Sequence, residues 1–174
     1  VGTDDGLIHV SSDAGANWTK LDKLPGIPDL TFVNDVKWSQ HSADVLYAVF
    51  NNHKNGDFKP YLMVSKNRGK TWEALSAGLP QRGSTYVIAE DHKDASLLFV
   101  GTEFGVFTST DGGLTWTELK KGLPTVAVRD IAIQQREDDL VLATFGRGFY
   151  VLDDYSPLRE IKNDIKKNEA IVLP

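Results

Sequence analysis

The chain has no cysteine among its 174 residues, which removes disulfides, thiol nucleophiles and cysteine-ligated zinc from the possible chemistry. It also has no excess of positive charge. Nineteen Lys and Arg stand against 24 Asp and Glu for a net charge of −5, and the lysines are scattered among carboxylates. No basic stripe is available for a phosphate backbone, so nucleic acid is excluded as an expected partner. No apolar run approaches the roughly 20 residues that span a bilayer, and the opening Val1-Gly2-Thr3-Asp4 lacks a charged region followed by an apolar one. The four histidines, His9, His41, His53 and His92, show no metal-ligand spacing, so neither metal nor cofactor is expected. A nucleophile elbow, a phosphate loop and a Ser-His-Asp order are all missing. What remains, 41% hydrophobic and 25% charged residues, is an ordinary composition with enough apolar side chains for a core.

Internal repetition is the main signal present. Val1-Gly2-Thr3-Asp4-Asp5-Gly6-Leu7-Ile8-His9-Val10-Ser11 aligns with Val100-Gly101-Thr102-Glu103-Phe104-Gly105-Val106-Phe107-Thr108-Ser109, with one extra residue in the first turn. Looser copies lie at Tyr47-Ala48-Val49-Phe50 and from Leu142 to Val151. A second unit, S-x-[DN]-x-G-x-x-W, occurs at Ser11/Asp13/Gly15/Trp18, Ser65/Asn67/Gly69/Trp72 and Ser109/Asp111/Gly113/Trp116. Each copy is followed by a Leu-Pro turn, at Leu24-Pro25, Leu79-Pro80 and Leu123-Pro124. Asp13 and Asn67 are 54 residues apart, Asn67 and Asp111 are 44 apart, and the excess is an insertion around His53 to Lys59. A period near 44 suits one four-stranded β-propeller blade.

Alternation and β-rich composition predict four strands in the third copy, at Tyr86 to Ala89, Leu97 to Gly101, Val106 to Ser109 and Thr115 to Leu119. In the same register the chain opens on the second, third and fourth strands of one blade. Two full blades follow, from Val33 to Leu75 and from Tyr86 to Leu119, and then three strands of another from Val128 to Leu152. The fold class is therefore all-β, about four blades with incomplete outer ones, and stacked neighbours must bury each other's faces. The residues predicted to face between blades are Val36, Trp38, Tyr47, Val49, Val87, Phe99, Val106, Phe107, Ile131, Ile133, Leu142 and Phe149. Residues 1–155 form the blade segment. Residues 156–174 read as a short helix from Pro157 to Lys167 and a strand start at Ala170 to Leu173, leading out of it.

In the turn Ser109-Thr110-Asp111-Gly112-Gly113-Leu114-Thr115-Trp116, the short acid accepts backbone N–H bonds and Gly113 supplies a positive φ. Ser109 adds a hydroxyl bond, and Trp116 covers the turn with an apolar ring. Asn67 keeps the acceptor and loses the charge, which favours a structural role over acid catalysis. These residues resemble the Asp-box, or BNR, repeats of sialidases, sortilin-type domains, xyloglucan hydrolases and photosystem-assembly-like propellers. The stretch from Leu97 to Leu158, with Gly146-Arg147-Gly148-Phe149-Tyr150-Val151, resembles large secreted bacterial proteins described as glycosyl-hydrolase-like or sortilin-like. The resemblance implies a propeller, an extracellular, periplasmic or cell-surface setting, boxes turned away from the ligand, and a longer parent chain.

Turns joining second to third strands, with the connections between blades, fall on the face opposite the boxes. That face carries the ligand-binding candidates Asp4, Asp5, His53, Glu103, Phe104 and Arg147, with Phe145, Asp29, Arg82, Tyr86 and Arg129 nearby. Asp4-Asp5-Gly6 is equally ordinary turn chemistry, Glu103 suits a solvated turn, and the glycines flanking Arg147 would let a ligand approach the backbone. A sialidase-like site would need an Arg-Ile-Pro lead-in, which is missing. A glycosidase pair from Asp4 or Asp5 with Glu103 would need to meet across a cleft. The expected function is a non-catalytic scaffold and binding segment for a glycan or a protein. The alternative is part of a glycoside hydrolase completed by residues elsewhere. Expected partners are the remainder of a longer parent chain or a second copy, packed on the two open end blades.

Overall fold

The computed structural model describes residues 1–21 and 23–161. Four antiparallel sheets follow one another along the chain. The first has β1 (Ile8–Val10) and β2 (Thr19–Leu21), with a single bridge from Gly2 to Ile8 standing where a further strand was expected. The second runs β3 (Phe32–Trp38), β4 (Leu46–Asn52), β5 (Asp57–Ser65) and β6 (Glu73–Ala74). The third runs β7 (Thr85–Glu90), β8 (Leu98–Thr102), β9 (Gly105–Ser109) and β10 (Thr117–Glu118), and the fourth β11 (Val128–Gln134), β12 (Asp139–Thr144) and β13 (Phe149–Leu152). Each is an up-and-down meander in sequence order, which is the construction of a propeller blade.

Period-two alternation sends the two faces of each central strand to different neighbours. In β4, Leu46, Ala48 and Phe50 join a core shared with the first blade, whereas Tyr47 and Val49 join one shared with the third. In β8, Leu98 and Val100 face the second blade and Phe99 faces the fourth. Burial on both faces explains why these strands read as unbroken apolar runs. Gly101 marks a close approach to the next blade: a Cβ there would stand 2.7 Å from the Val128 carbonyl oxygen.

The first strand of each blade is its inner strand, and neighbouring inner strands are joined directly. Asn34 Nδ2 donates to Thr85 O at 2.6 Å, and Lys37 Nζ donates to Ile88 O at 2.8 Å. All three inner strands are bulged at the same place, between Val33 and Asp35, Thr85 and Val87, and Val128 and Asp130. A bulge leaves one residue outside the ladder and re-aims its side chain. Those residues are Asn34, Tyr86 and Arg129.

Two predicted inward residues are exposed instead: Trp38 is 46% and Phe149 75% accessible. Trp38 ends an inner strand beside the first blade, which supplies no inner strand to cover it. Phe149 lies on β13, the last strand of its sheet, with no blade beyond it among the described residues. The tail also differs. Ser156–Glu160 is a 3-10 turn whose Leu158 packs against the core shared by the third and fourth blades. The rest of the predicted helix, and the strand start at Ala170 to Leu173, lie outside the described residues.

Candidate ligand-binding face

The three boxes build the same turn three times. In each, the serine hydroxyl donates to the acid or amide, at 2.9, 3.0 and 2.7 Å for Ser11, Ser65 and Ser109. The same serine oxygen accepts the N–H of Gly15, Gly69 and Gly113, each at 2.8 Å. Oδ1 of Asp13, Asn67 and Asp111 then accepts the N–H four residues on, at 2.8, 2.8 and 2.9 Å. Two consecutive left-handed residues turn the chain: Ala14 and Gly15, Arg68 and Gly69, Gly112 and Gly113. Asn67 makes the Oδ1 bonds as the aspartates do, so the carbonyl-like oxygen, not the charge, forms the turn. The boxes lie beside the turns between first and second strands, as Arg68 N bonded to Asp44 O and Gly112 N bonded to Ser96 O show.

The other face holds the turns between second and third strands and the connections between blades. Here Glu103 N donates to Ser84 O at 2.9 Å, Gly83 N to Phe58 O at 2.8 Å, and Phe145 N to Ala127 O at 2.8 Å. These bonds tie each turn to a connection, and they place the aromatic residues in two groups. The Arg82 guanidinium lies over the Phe58 ring at 5.4 Å, and Phe104 packs on Gly83, where a Cβ would stand 3.0 Å from its ring. The Arg129 guanidinium lies 3.8 Å from the centre of the Tyr86 ring and 5.2 Å from that of Phe145. Such stacking holds a cation and two rings in fixed relation. Tyr86 is buried, yet Phe145 is 69% and Phe104 40% exposed. Burial raises the Tyr86 phenol above its ordinary value against the opposing pull of Arg129, and the Glu103 charge adds to the rise. Among the described residues the buried Glu103 Oε2 has no hydrogen-bond partner, and the buried Ser84 hydroxyl acts on the Tyr86 phenol, drawing it down.

The sequence-predicted candidates do not all converge. Glu103 and Phe104 share the β8–β9 turn, Glu103 acting on Tyr86 and Phe104 packing on Gly83 with the Arg82 and Phe58 group. Arg147 is exposed in the β12–β13 turn between Gly146 and Gly148, both left-handed. Asp4 and Asp5 lie on the first blade, where Thr3 Oγ1 donates to Asp5 within the turn; neither shares a hydrogen bond or ion pair with Glu103. His53 sits in the 3-10 turn His53–Asn55, with Nδ1 against Asn51 Oδ1. The insertion around it is braced internally: Tyr61 donates to Asp57 at 2.5 Å, and burial together with that carboxylate pushes the phenol up to about 12. Asn51 and Asn52 are buried, so this group reads as a built loop. Ser84, which the sequence reading passed over, carries no motif of its own. Its signal was the position immediately before the bulged inner strand.

Opposite the candidate face, residues far apart in sequence form an ion cluster. Arg159 donates to Asp91 at 2.9 and 2.7 Å and to Asp138 at 2.9 and 2.8 Å. Tyr155, 1% exposed, donates to Asp91 at 2.5 Å and stands edge-on to Phe99 at 5.2 Å. Burial pushes the Asp91 carboxyl up, but the bonds from Arg159, Tyr155 and two backbone N–H groups outweigh it and hold the group well below the usual carboxylate range. Arg159, then Lys93, hold Asp138 low against some burial. The cluster clamps the third blade to the fourth.

Consecutive antiparallel blades with this turn define a β-propeller segment. The BNR/Asp-box repeat family model matches residues 107–118, which contain the whole of the third box. In fold the chain is similar to the GH74 xyloglucanase from Xanthomonas campestris, with a TM-score of 0.69 and 20% identity over 91% of this chain and 27% of that one. It is also similar to YCF48 bound to a D1 peptide, with a TM-score of 0.64 and 15% identity over 89% and 47%. A third similar structure is the GH74 enzyme of Niastella koreensis, with a TM-score of 0.56 and 20% identity over 70% and 21%. The chain thus spans less than half the length of each, and the likeness is one of fold. No curated protein sequence matches it. Among the described residues no helix is long and apolar enough to cross a membrane.

Proposed function

We propose that this segment is a non-catalytic binding unit of an extracytoplasmic propeller, and that it takes a glycan chain across the rim formed by Tyr86, Glu103, Phe104, Arg129 and Phe145. The observation that carries the reading is the Arg129 guanidinium held over Tyr86 at 3.8 Å and near Phe145 at 5.2 Å while Phe145 stays 69% exposed. A fixed aromatic face suits the C–H face of a pyranose, and neighbouring polar groups suit its hydroxyls. Half-buried Glu103 supplies a carboxylate acceptor, and exposed Arg147 supplies donors. Glycoside hydrolysis needs two carboxylates about 5 to 10 Å apart across the scissile bond. Asp4 and Asp5 belong to the first blade and Glu103 to the third, and neither aspartate shares a hydrogen bond or ion pair with Glu103, so nothing ties them into such a pair.

The second reading, part of a glycoside hydrolase with its other carboxylate elsewhere, draws on the fold shared with the Xanthomonas campestris xyloglucanase. That likeness also makes xyloglucan oligosaccharides the first probe. Titration calorimetry is expected to give saturable binding that weakens at least tenfold in Phe145→Ala and is unchanged in Asp111→Asn. Binding indifferent to Phe145→Ala overturns the proposed face. Binding of extended peptides in place of the glycan makes the ligand a protein, and release of reducing ends restores the hydrolase reading.

A further inference from the structure

Besides closing its own hairpin, each Asp-box meets the blade before it. Three residues after every box tryptophan stands a leucine: Leu21, Leu75 and Leu119. The second box rests on the first of these, since a Cβ at Gly69 would lie 3.2 Å from Leu21 Cδ1 and 3.5 Å from Val10 Cγ2. The third box repeats the contact one blade on. A Cβ at Gly113 would lie 2.6 Å from Leu75 Cγ, and Trp116 Nε1 donates to Leu75 O at 2.9 Å. Trp72 and Trp116 are accordingly 8% and 9% exposed.

The first box has the same internal bonds and, among the described residues, nothing beneath it. Trp18 is 52% exposed, and a Cβ at Gly15 would meet only the ring of Trp18 itself. Alongside lies a cavity of about 320 Å³ whose walls include Val10, Trp18, Val36 and the exposed Trp38.

We propose that the first box is the receiving surface for a further propeller blade, whose fourth strand ends in a leucine that docks on Gly15 and Trp18 as Leu21 docks on Gly69 and Leu75 on Gly113. The occupant is a blade outside residues 1–174, not a second copy of the chain. Leu21 and Leu75 are already engaged by the next box, and Leu119 is packed in the core that holds Tyr155 and Leu158. The fourth blade carries neither box nor fourth strand among the described residues; its exposed Phe149, Val151 and Leu152 present no leucine in this setting. The inference is independent of the glycan reading, because it concerns the box side of the first blade.

The repeat register supplies the test. Val1-Gly2-Thr3 aligns with Val100-Gly101-Thr102, so a duplicate of residues 32–99 placed directly before Val1 provides an inner strand for the first blade and a complete blade ahead of it. Acrylamide quenching of Trp18 is read as the difference between each protein and its Trp18→Phe variant. In the 174-residue chain Trp18 is expected to quench as an exposed indole at every protein concentration, with monomeric mass by light scattering. In the extended chain its quenching is expected to fall several-fold, and to return when the duplicated Leu75 is changed to Asp. A Trp18 that stays quenchable in the extended chain overturns the proposal. So does an extended chain that fails to fold, because a box built to receive a blade gains stability from one. Protection of Trp18 in the unextended chain as its mass doubles would make a second copy the occupant and overturn it too.

Discussion

Replacing Asp111 with Ala tests whether the boxes are structural, and the structure sets the size of the effect. The carboxylate accepts Thr115 N–H at 2.9 Å, the Ser109 hydroxyl at 2.7 Å and the Thr115 hydroxyl at 2.5 Å. Each such bond contributes about 1 kcal/mol net; Thr115 is exposed, so water replaces part of the loss and the total is about 2 kcal/mol. For a chain of this length that lowers Tm by about 4 to 8 °C. Asp111→Asn should cost under about 0.5 kcal/mol, as expected of a change that leaves the contacts in place. Asn67 already makes the equivalent set, with its Oδ1 on Thr71 N–H at 2.8 Å and its Nδ2 on Thr71 Oγ1 at 2.7 Å. Thermal denaturation followed by circular dichroism measures both variants. The reasoning fails if Asp111→Asn is as damaging as Asp111→Ala, or if Asp111→Ala keeps full stability and loses glycan binding.

Arg159→Ala removes four hydrogen bonds from two carboxylates, one of them on fully buried Asp91. A stranded buried charge costs about 3 to 5 kcal/mol, and the bonds Asp91 keeps from Tyr155, Lys93 N and Asp94 N put the expected loss near the lower end in urea unfolding. Asp91 and Asp138 are held below the ordinary aspartate value in the fold, so their stabilisation is complete above about pH 3.9 and is lost as pH falls through the lower folded values. That acid limb should shrink in Arg159→Ala, and an unchanged limb would remove these groups from the explanation. Gly113→Ala combines a left-handed φ of 90° with a Cβ 2.6 Å from Leu75 and should cost about 2 to 4 kcal/mol. Gly112→Ala, at φ 71° with nothing within 4 Å, should cost only about 1 to 2 kcal/mol; equal losses would contradict the inter-blade contact.

The blades were legible because the boxes punctuate the sequence at a fixed period and β4 and β8 are apolar on both faces. Trp38 and Phe149 were misplaced because alternation tells which residues share a face and not whether a neighbour covers it. The bulges at Asn34, Tyr86 and Arg129 were not legible: a bulge adds one residue without a composition signal, and it decides which side chains reach the rim. The Asp91, Asp138, Tyr155 and Arg159 cluster was missed for another reason. Its members come from three separate turns, and Asp138-Asp139 and Asp153-Asp154 read locally as turn chemistry. Only the packing of the fourth blade on the third brings the pieces together.

The glycan reading is tested most directly by amide chemical-shift mapping of the isotopically labelled chain during titration with xyloglucan oligosaccharides. Shifts should concentrate at Ser84 to Tyr86, Glu103, Phe104, Arg129 and Phe145 to Gly148, with Gly15, Gly69 and Gly113 of the boxes unmoved. Shifts centred on the boxes, or a rim silent at saturating oligosaccharide, would contradict it.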